Sequence, residues 1–361
     1  MRIFFGGDVM TGRGIDQILQ FPSGPRIYEP YVKDAREYLT MSERLYGPIV
    51  TPVGFNYIWG GALDIWDRFQ PDIKIVNLET AVTHSEDAWP YKGINYRMSP
   101  ENVPCLKIAG IDCCALANNH ILDWGYSGLF ETVEVLNKAG IKTAGAGMNL
   151  FEAAAPCIMH SRENRQIALI SMGMETSGVP LEWAATDKRP GIFLIDKADN
   201  PGSLFENIFS KNLSDDTIIT SIHWGNNWVY EIPRQHKELA HMLIDRYDVD
   251  IIHGHSSHHA LGVEVYKGHL ILYGCGDFIT DYEGISGYET FRGDLSIMYF
   301  ADLDNEGKLI SLRMYPMQVR NFRLNHISDE DMHWLENTLN AKSKELKNSV
   351  KRDEMGFTLQ W

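Results

Sequence analysis

Seven side chains of this sequence are of the types that hold divalent cations at neutral pH: the carboxylates of Asp8 and Glu79, the amide of Asn119, and the imidazoles of His120, His223, His255 and His258. Of the 13 histidines in the chain, four fall between positions 253 and 259. A metal that keeps an open coordination position lowers the pKa of a bound water and polarises a phosphoryl or carbonyl oxygen. The chemistry such a set supports is hydrolysis, or acyl or phosphoryl transfer. A lone histidine at a strand end is ordinarily a hydrogen-bonded structural residue, so the argument rests on the combination. No glycine-rich phosphate loop ending in Gly-Lys-Ser/Thr occurs, and a nucleotide cofactor is not expected.

These groups need rigid elements to bring them together. Short β-branched runs alternate with helical spacing, which predicts an α/β fold with strands over 2–7, 73–78, 112–117, 166–172, 217–223, 249–253 and 269–274. Helices are predicted over 126–139, with Leu129, Val133, Leu136 and Ala139 on one stripe, and over 234–247, with Leu239, Met242 and Leu243. Asp8 follows the first strand, Asn77 and Glu79 end the second, Asn118, Asn119 and His120 follow the third, and His223 and His253 to His259 end two more. That carboxyl edge is where open α/β sheets bind ligands. Residues 11–70, carrying Pro22, Pro25, Pro30, Pro48 and Pro52, read as an insertion with short helices beside the first strand, placed to cover the site. Residues 1–326 are expected to form the main domain, and 327–361 a C-terminal packing helix and tail. There Ser328 is the N-cap ahead of Asp329, Glu330 and Asp331, and Met332, Leu335 and Leu339 follow at helical spacing.

Composition bounds the partners. Among 361 residues, 33 Lys+Arg stand against 48 Asp+Glu, a formal net charge of −15, which argues against a protein that coats nucleic acid. The 44% apolar fraction is ordinary for a globular chain able to bury a large core. No apolar run approaches the roughly 18 residues of a membrane-spanning helix, and the stretch before Gly6 is too short for a signal-peptide core. A cytoplasmic location is therefore expected. The five cysteines form no CxxC pair and read as reduced thiols, with Cys113 and Cys114 in the core.

Six segments carry a resemblance. Gly7-Asp8, Asn77-Leu78-Glu79-Thr80, Ala117-Asn118-Asn119-His120 with Asp123 and Gly125, His223-Trp224-Gly225, Gly254-His255-Ser256-Ser257-His258 and Tyr273-Gly274-Cys275-Gly276-Asp277-Phe278 follow in fixed order. In order and spacing this run resembles the CapA-type poly-gamma-glutamate capsule biosynthesis proteins, a branch of the calcineurin-like metallophosphoesterases. The resemblance implies a four-layer α/β/β/α sandwich of the metallophosphoesterase type, with one or two divalent ions (Mn, Zn, Fe or Mg) at the carboxyl edge. It makes Asp8 a metal ligand, Glu79 a binding or bridging carboxylate, Asn119 the amide ligand, and His223, His255 and His258 the imidazole ligands. His120 matches a histidine that protonates a leaving group or steadies a transition state, and Asp123 is placed to hold its tautomer. The sequence departs from the superfamily pattern at Met10, where a histidine is usual, at Glu79 in place of an aspartate, and at the two serines between His255 and His258. The last departure leaves His255, His258 and His259 open as closing ligands.

Arg13, Lys92 and Arg97 lie beside the motifs and are candidates to clamp a substrate carboxylate or phosphate, Arg97 above all because guanidinium suits bidentate recognition. For Arg13 and Lys92 the alternative is neutralisation of surface acids. Asp277 is read as orienting a loop or a ligand histidine. Two functions follow from the resemblance. One is a metal-dependent hydrolase acting on a phosphoester or a gamma-glutamyl amide in poly-gamma-glutamate metabolism. The other is a non-catalytic accessory protein that binds the anionic polymer. Either implies a small anionic or polyglutamyl substrate.

Overall fold

The computed structural model describes residues 1–195, 202–209 and 217–361. Its principal strands are β1 (Arg2–Val9), β2 (Ile73–Leu78), β3 (Cys113–Ala115), β4 (Lys142–Ala144), β5 (Gln166–Met174), β6 (Thr217–His223), β7 (Ile251–His255), β8 (Val263–Tyr266), β9 (His269–Leu272), β10 (Asp277–Ile279), β11 (Leu295–Leu303), β12 (Leu309–Val319), β13 (Ser349–Asp353) and β14 (Gly356–Gln360). The principal helices are α1 (Arg13–Ile18), α2 (Arg36–Tyr46), α3 (Ala62–Phe69), α4 (Gly125–Lys138), α5 (Arg234–Tyr247) and α6 (Asp329–Ser343). Every predicted strand is present; the one expected at 249–253 sits two residues later, so His255 is the last residue of β7.

One sheet runs β13-β14-β12-β11-β1-β2-β3-β4, with β10 also paired to β1, and the other runs β5-β6-β7-β9-β8. Within them β1 to β4 are parallel, as are β5, β6, β7 and β9. Alternation along the strands sets the layers. Ile3 and Phe5 of β1 and Ile75 of β2 meet Leu169, Ile219 and Leu270 of the other sheet in a core between the two. Phe4 and Val76 point the opposite way, toward Trp59, Trp66 and Leu129. On the far side Ile170 and Ile252 pack against Leu239 and Leu243 of α5. Both outer faces are thus covered by helices, and the order is α/β/β/α.

Residues 11–70 contribute α1, α2 and α3, which cover the outer face of the first sheet through Ile15, Ile18, Ile65 and Trp66. At the other end, the Ser328 hydroxyl accepts the Asp331 N–H at 3.1 Å to cap α6. Leu335 and Leu339 of α6 reach the core between the sheets, and β13 and β14 form a hairpin that extends the first sheet at β12. The five cysteines are free and buried. No helix among the described residues is long and apolar enough to cross a membrane.

Gly7 sets the approach of β10. A Cβ at that position would lie 1.7 Å from the carbonyl oxygen of Gly276. The bare backbone lets the Asp8 N–H donate to that oxygen at 3.1 Å and puts Asp277 in register with Asp8.

Candidate metal centre

The carboxyl ends of the strands converge on Asp8. Asp8, His223 and His255 offer ligand atoms that lie within 4.8 Å of one another, and Asp8, His258 and Asp277 form a second such group. All five residues are buried. Asn77 donates from Nδ2 to Asp8 Oδ1 at 2.8 Å, and the Ser256 N–H donates to Oδ2 at 3.2 Å. Ser256 makes this contact at a φ of 97°, a region that a residue with a Cβ rarely occupies. Glu79 lies alongside, with Oε1 at 3.7 Å from His120 Nε2 and 3.8 Å from His223 Nε2. Asn118 ties the edge together: its Nδ2 donates to Asn77 Oδ1 at 3.0 Å and its Oδ1 accepts the His120 N–H at 3.0 Å.

A buried chain of hydrogen bonds fixes the tautomer of His255. The Gly6 carbonyl only accepts, so His253 Nε2 carries the proton that meets it at 2.9 Å. Burial pushes the His253 imidazole down to about 4, so its Nδ1 is a bare acceptor. Ser221 Oγ donates to that Nδ1 at 3.0 Å and accepts from His255 Nε2 at 2.9 Å. His255 Nδ1 is left with its lone pair, 3.9 Å from Asp8 Oδ1. His253 thus has a positioning role, and neither residue type nor spacing distinguishes it from its neighbours in the sequence.

The donor set fits a cation. His223 Nδ1 lies 2.8 Å from His255 Nδ1, and His223 Nε2 lies 3.0 Å from Asn119 Oδ1. Burial, reinforced by the charges of His120 and His258, holds His223 well below the usual imidazole range, so the ring carries one proton for two acceptors. With the Asn119 oxygen facing Nε2, one side presents lone pair to lone pair, an arrangement that a cation resolves, as a turn of the amide also would. Glu79 Oε2 and Asp277 Oδ2 are buried without a hydrogen-bond partner. Burial, then the charges of Asp8 and Asp277, raise Glu79 well above the usual carboxylate range. His258 is held above the usual imidazole range: burial opposes its charge, but Asp277, at 2.9 Å from Nδ1, and Asp8 prevail.

His120 donates from Nδ1 to Asp123 Oδ2 at 2.6 Å and stacks on Tyr96 at 3.8 Å between ring centroids. Asp123 also accepts the Tyr96 N–H at 2.6 Å and has Lys92 Nζ 3.3 Å away. Glu79, Lys92, Asn119, His120 and His258 open onto a cavity of about 880 Å³. Arg13 lines it too, but its guanidinium is bound by Asp281 and Glu29, with the Tyr38 hydroxyl at 3.0 Å. Arg97 lies outside this cavity: it donates to the carbonyls of Ser85 at 2.7 Å and Gly24 at 3.1 Å, over the Trp124 ring. His259 turns away from Asp8 among Trp228, Tyr230 and Phe291. Asp277 does orient His258 and also completes the second ligand group; the signal for it is the Gly-Asp pair at 276–277, a repeat of 7–8.

Residues 2–282 match the model of the family described as bacterial capsule synthesis protein PGA_cap. Over 348 residues the chain is 43% identical to a Mycobacterium tuberculosis (strain H37Rv) protein named as a probable polyglutamine synthesis accessory protein, covering 95% of this chain and 91% of that one. The PGA biosynthesis protein CapA of Bacillus subtilis (strain 168) is 26% identical over 306 residues, covering 84% of this chain and 68% of its own length. The capsule biosynthesis protein CapA of Bacillus anthracis is 28% identical over 194 residues, 53% of this chain and 45% of its own. The crystal structure of a 5′-nucleotidase precursor from Thermus thermophilus aligns with 96% of this chain and 59% of that chain at 11% identity and a TM-score of 0.45, a likeness too slight to bear on chemistry. The stretch matched by the family model contains every residue of the two ligand groups, and the chain belongs to the PGA_cap family of CapA-type bacterial capsule synthesis proteins.

Proposed function

We propose that the cluster around Asp8 is the centre of a metal-dependent hydrolase, acting on a phosphoester or a gamma-glutamyl amide in poly-gamma-glutamate metabolism. The observation that carries this reading is that two buried candidate ligand groups share Asp8 beside a cavity that one of their members, His258, lines together with Glu79, Asn119 and His120. Asp8, His223 and His255 on one side, and His258 and Asp277 on the other, would hold one or two divalent ions, with Glu79 and Asn119 within reach. Such ions supply an activated water and polarise the phosphoryl or carbonyl oxygen under attack. The rest falls to the chain itself. Asp123 accepts a hydrogen bond from the Nδ1–H of His120 and leaves Nε2 facing Glu79 and the cavity. Burial, then Lys92 and Arg13, keep that ring neutral, with a lone pair on Nε2. Nε2 must therefore first take up a proton, from water or from the bound substrate, before it can pass one to a leaving group, and the negative charge of a substrate would favour that uptake. Tyr96, stacked on His120 and joined to Tyr282 through their hydroxyls at 2.8 Å, fixes the plane of the ring and walls off water.

The name of the mycobacterial relative favours a second reading, an accessory protein that binds polymer in the same cleft without cleaving it. The two separate in one experiment: purified chain is stripped with chelator, reloaded with Mn²⁺, and assayed on bis-p-nitrophenyl phosphate and on gamma-glutamyl p-nitroanilide. Turnover that requires the metal supports the hydrolase. Full metal content with no turnover, together with binding of oligo-gamma-glutamate, would replace it with the accessory reading.

A further inference from the structure

The charges around the cavity are arranged unevenly. Among the described residues, its lining holds three Lys or Arg side chains, Arg13, Lys92 and Arg292, against five carboxylates, Glu29, Glu79, Glu283, Glu289 and Asp294. Arg13 is taken by Asp281 and Glu29. Arg292 is forked onto Asp294 at 2.7 and 2.8 Å and donates again to Asp331 at 2.6 Å. Lys92 has three donors and two partners, Asp123 and the Ile94 carbonyl, which leaves one donor to spare beside His120. The metal floor and Lys92 can therefore receive one anionic group. Away from that end, Glu283 accepts the N–H groups of Asn321 and Phe322, Glu289 accepts that of Gly287, and neither forms an ion pair among the described residues. The same end is aromatic: Trp228 and Tyr288 stack at 4.5 Å and 11°, with Tyr46 and Tyr282 also in the lining.

We infer that the substrate of this cavity is a phosphoester charged at one end only, whose remainder is an uncharged ring system lying along Trp228 and Tyr288. The inference rests on the hydrolytic reading above and chooses between its two substrate classes. A gamma-linked glutamate chain bears a carboxylate on every residue, and each one beyond the first would lie toward Glu283 or Glu289. There no Lys or Arg of the lining is left unpaired, and Arg320, over Tyr46, stands outside the lining. A flat neutral body suits the place, because its face gains contact with the stacked rings. The volume, about 880 Å³, takes a body of that kind whole.

The test uses full-length, Mn²⁺-loaded protein and measures binding by calorimetry with methylphosphonate, phenylphosphonate and gamma-linked glutamate oligomers of increasing length. Phenylphosphonate is expected to bind about ten-fold more tightly than methylphosphonate. In Trp228→Ala with metal content intact, that advantage should fall to near unity, and Trp228→Phe should restore most of it. Glutamate oligomers should gain nothing with length. Equal affinity for the two phosphonates, or oligomer affinity that climbs with each residue, would overturn the inference and leave the hydrolytic reading standing. Failure of metal-replete protein to bind either phosphonate would likewise overturn the inference, whereas absence of metal-dependent turnover on both the phosphodiester and the gamma-glutamyl anilide would overturn the hydrolytic reading with it.

Discussion

Asp8 and Asp277 lie opposite each other in the register of two adjacent parallel strands, a pairing of residues far apart in the chain, and both belong to buried groups of candidate metal ligands. Burial, and after it the charge of Asp277, push the Asp8 carboxyl up to about 7 in the metal-free chain. A cation needs that carboxyl ionised. Its affinity should rise with pH through about 7 and fall by about ten-fold or more per unit below, with at least one proton released, since His258, held above the usual imidazole range, must also be neutral to ligate. Without metal the sign reverses for folding: the unfolded carboxyl ionises near 3.8, the buried one near 7, so the Asp8 contribution to stability is lost as pH rises between them. Calorimetric titration of Mn²⁺ from about pH 5.5 to 8.5, in buffers of different ionisation enthalpy, checks this. An affinity flat across that range would contradict it.

His120 belongs to neither ligand group, but Nε2 faces Glu79 at 3.7 Å and the cavity. His120→Ala should keep the metal and lower turnover about a hundred- to a thousand-fold. Metal analysis and steady-state kinetics on the same preparation decide it, and full turnover in the variant would remove His120 from the chemistry.

The chain Gly6–His253–Ser221–His255 should be visible in metal affinity. Ser221→Ala or His253→Phe frees His255 to take the other tautomer, and the metal should bind about ten- to a hundred-fold more weakly. The chelator-stripped variants should stay folded but lose about 1–3 kcal/mol for the buried groups left unpaired. Loss of stability without loss of affinity would mark the chain as structural only.

Gly7→Ala places a methyl on the Gly276 carbonyl. The strand Asp277–Ile279 must move away, at a cost of about 1–3 kcal/mol, and Asp277 moves with it. Denaturant melts together with metal counting should show reduced stability and loss of one ion. Retention of both ions would mean that the approach of the two strands does not build the second group.

Much of this is legible in the sequence because parallel strands buried on both faces read as continuous apolar runs, and their carboxyl ends are marked by abrupt polar residues. Asp8, Glu79, Asn119, His223 and His255 stand out that way. Features that depend on distant register do not. The place of Asp277 opposite Asp8 follows from the docking of Asp277–Ile279 beside Arg2–Val9; the Gly-Asp pair at 276–277 marks the residue but not that distant register. Arg97 stands two residues from Asn95, and its guanidinium runs over Trp124 toward backbone carbonyls rather than into the cavity beside the Asp8 cluster. Arg13 is recognisable as a cation near the site, but Asp281 and Glu29, which occupy it, are 268 and 16 residues away. The hairpin Ser349–Gln360 is polar on its exposed face and leaves only Val350, Phe357 and Leu359 as inward anchors.

The central claim is that Asp8 is shared by two cation groups, and metal stoichiometry by plasma mass spectrometry tests it most directly. After reloading and desalting, the parent chain should carry up to two ions, Asp277→Ala one fewer, and Asp8→Ala none. Asp8→Ala that retains the metal content of the parent, or a parent chain that binds no divalent ion under any loading condition, would contradict the account.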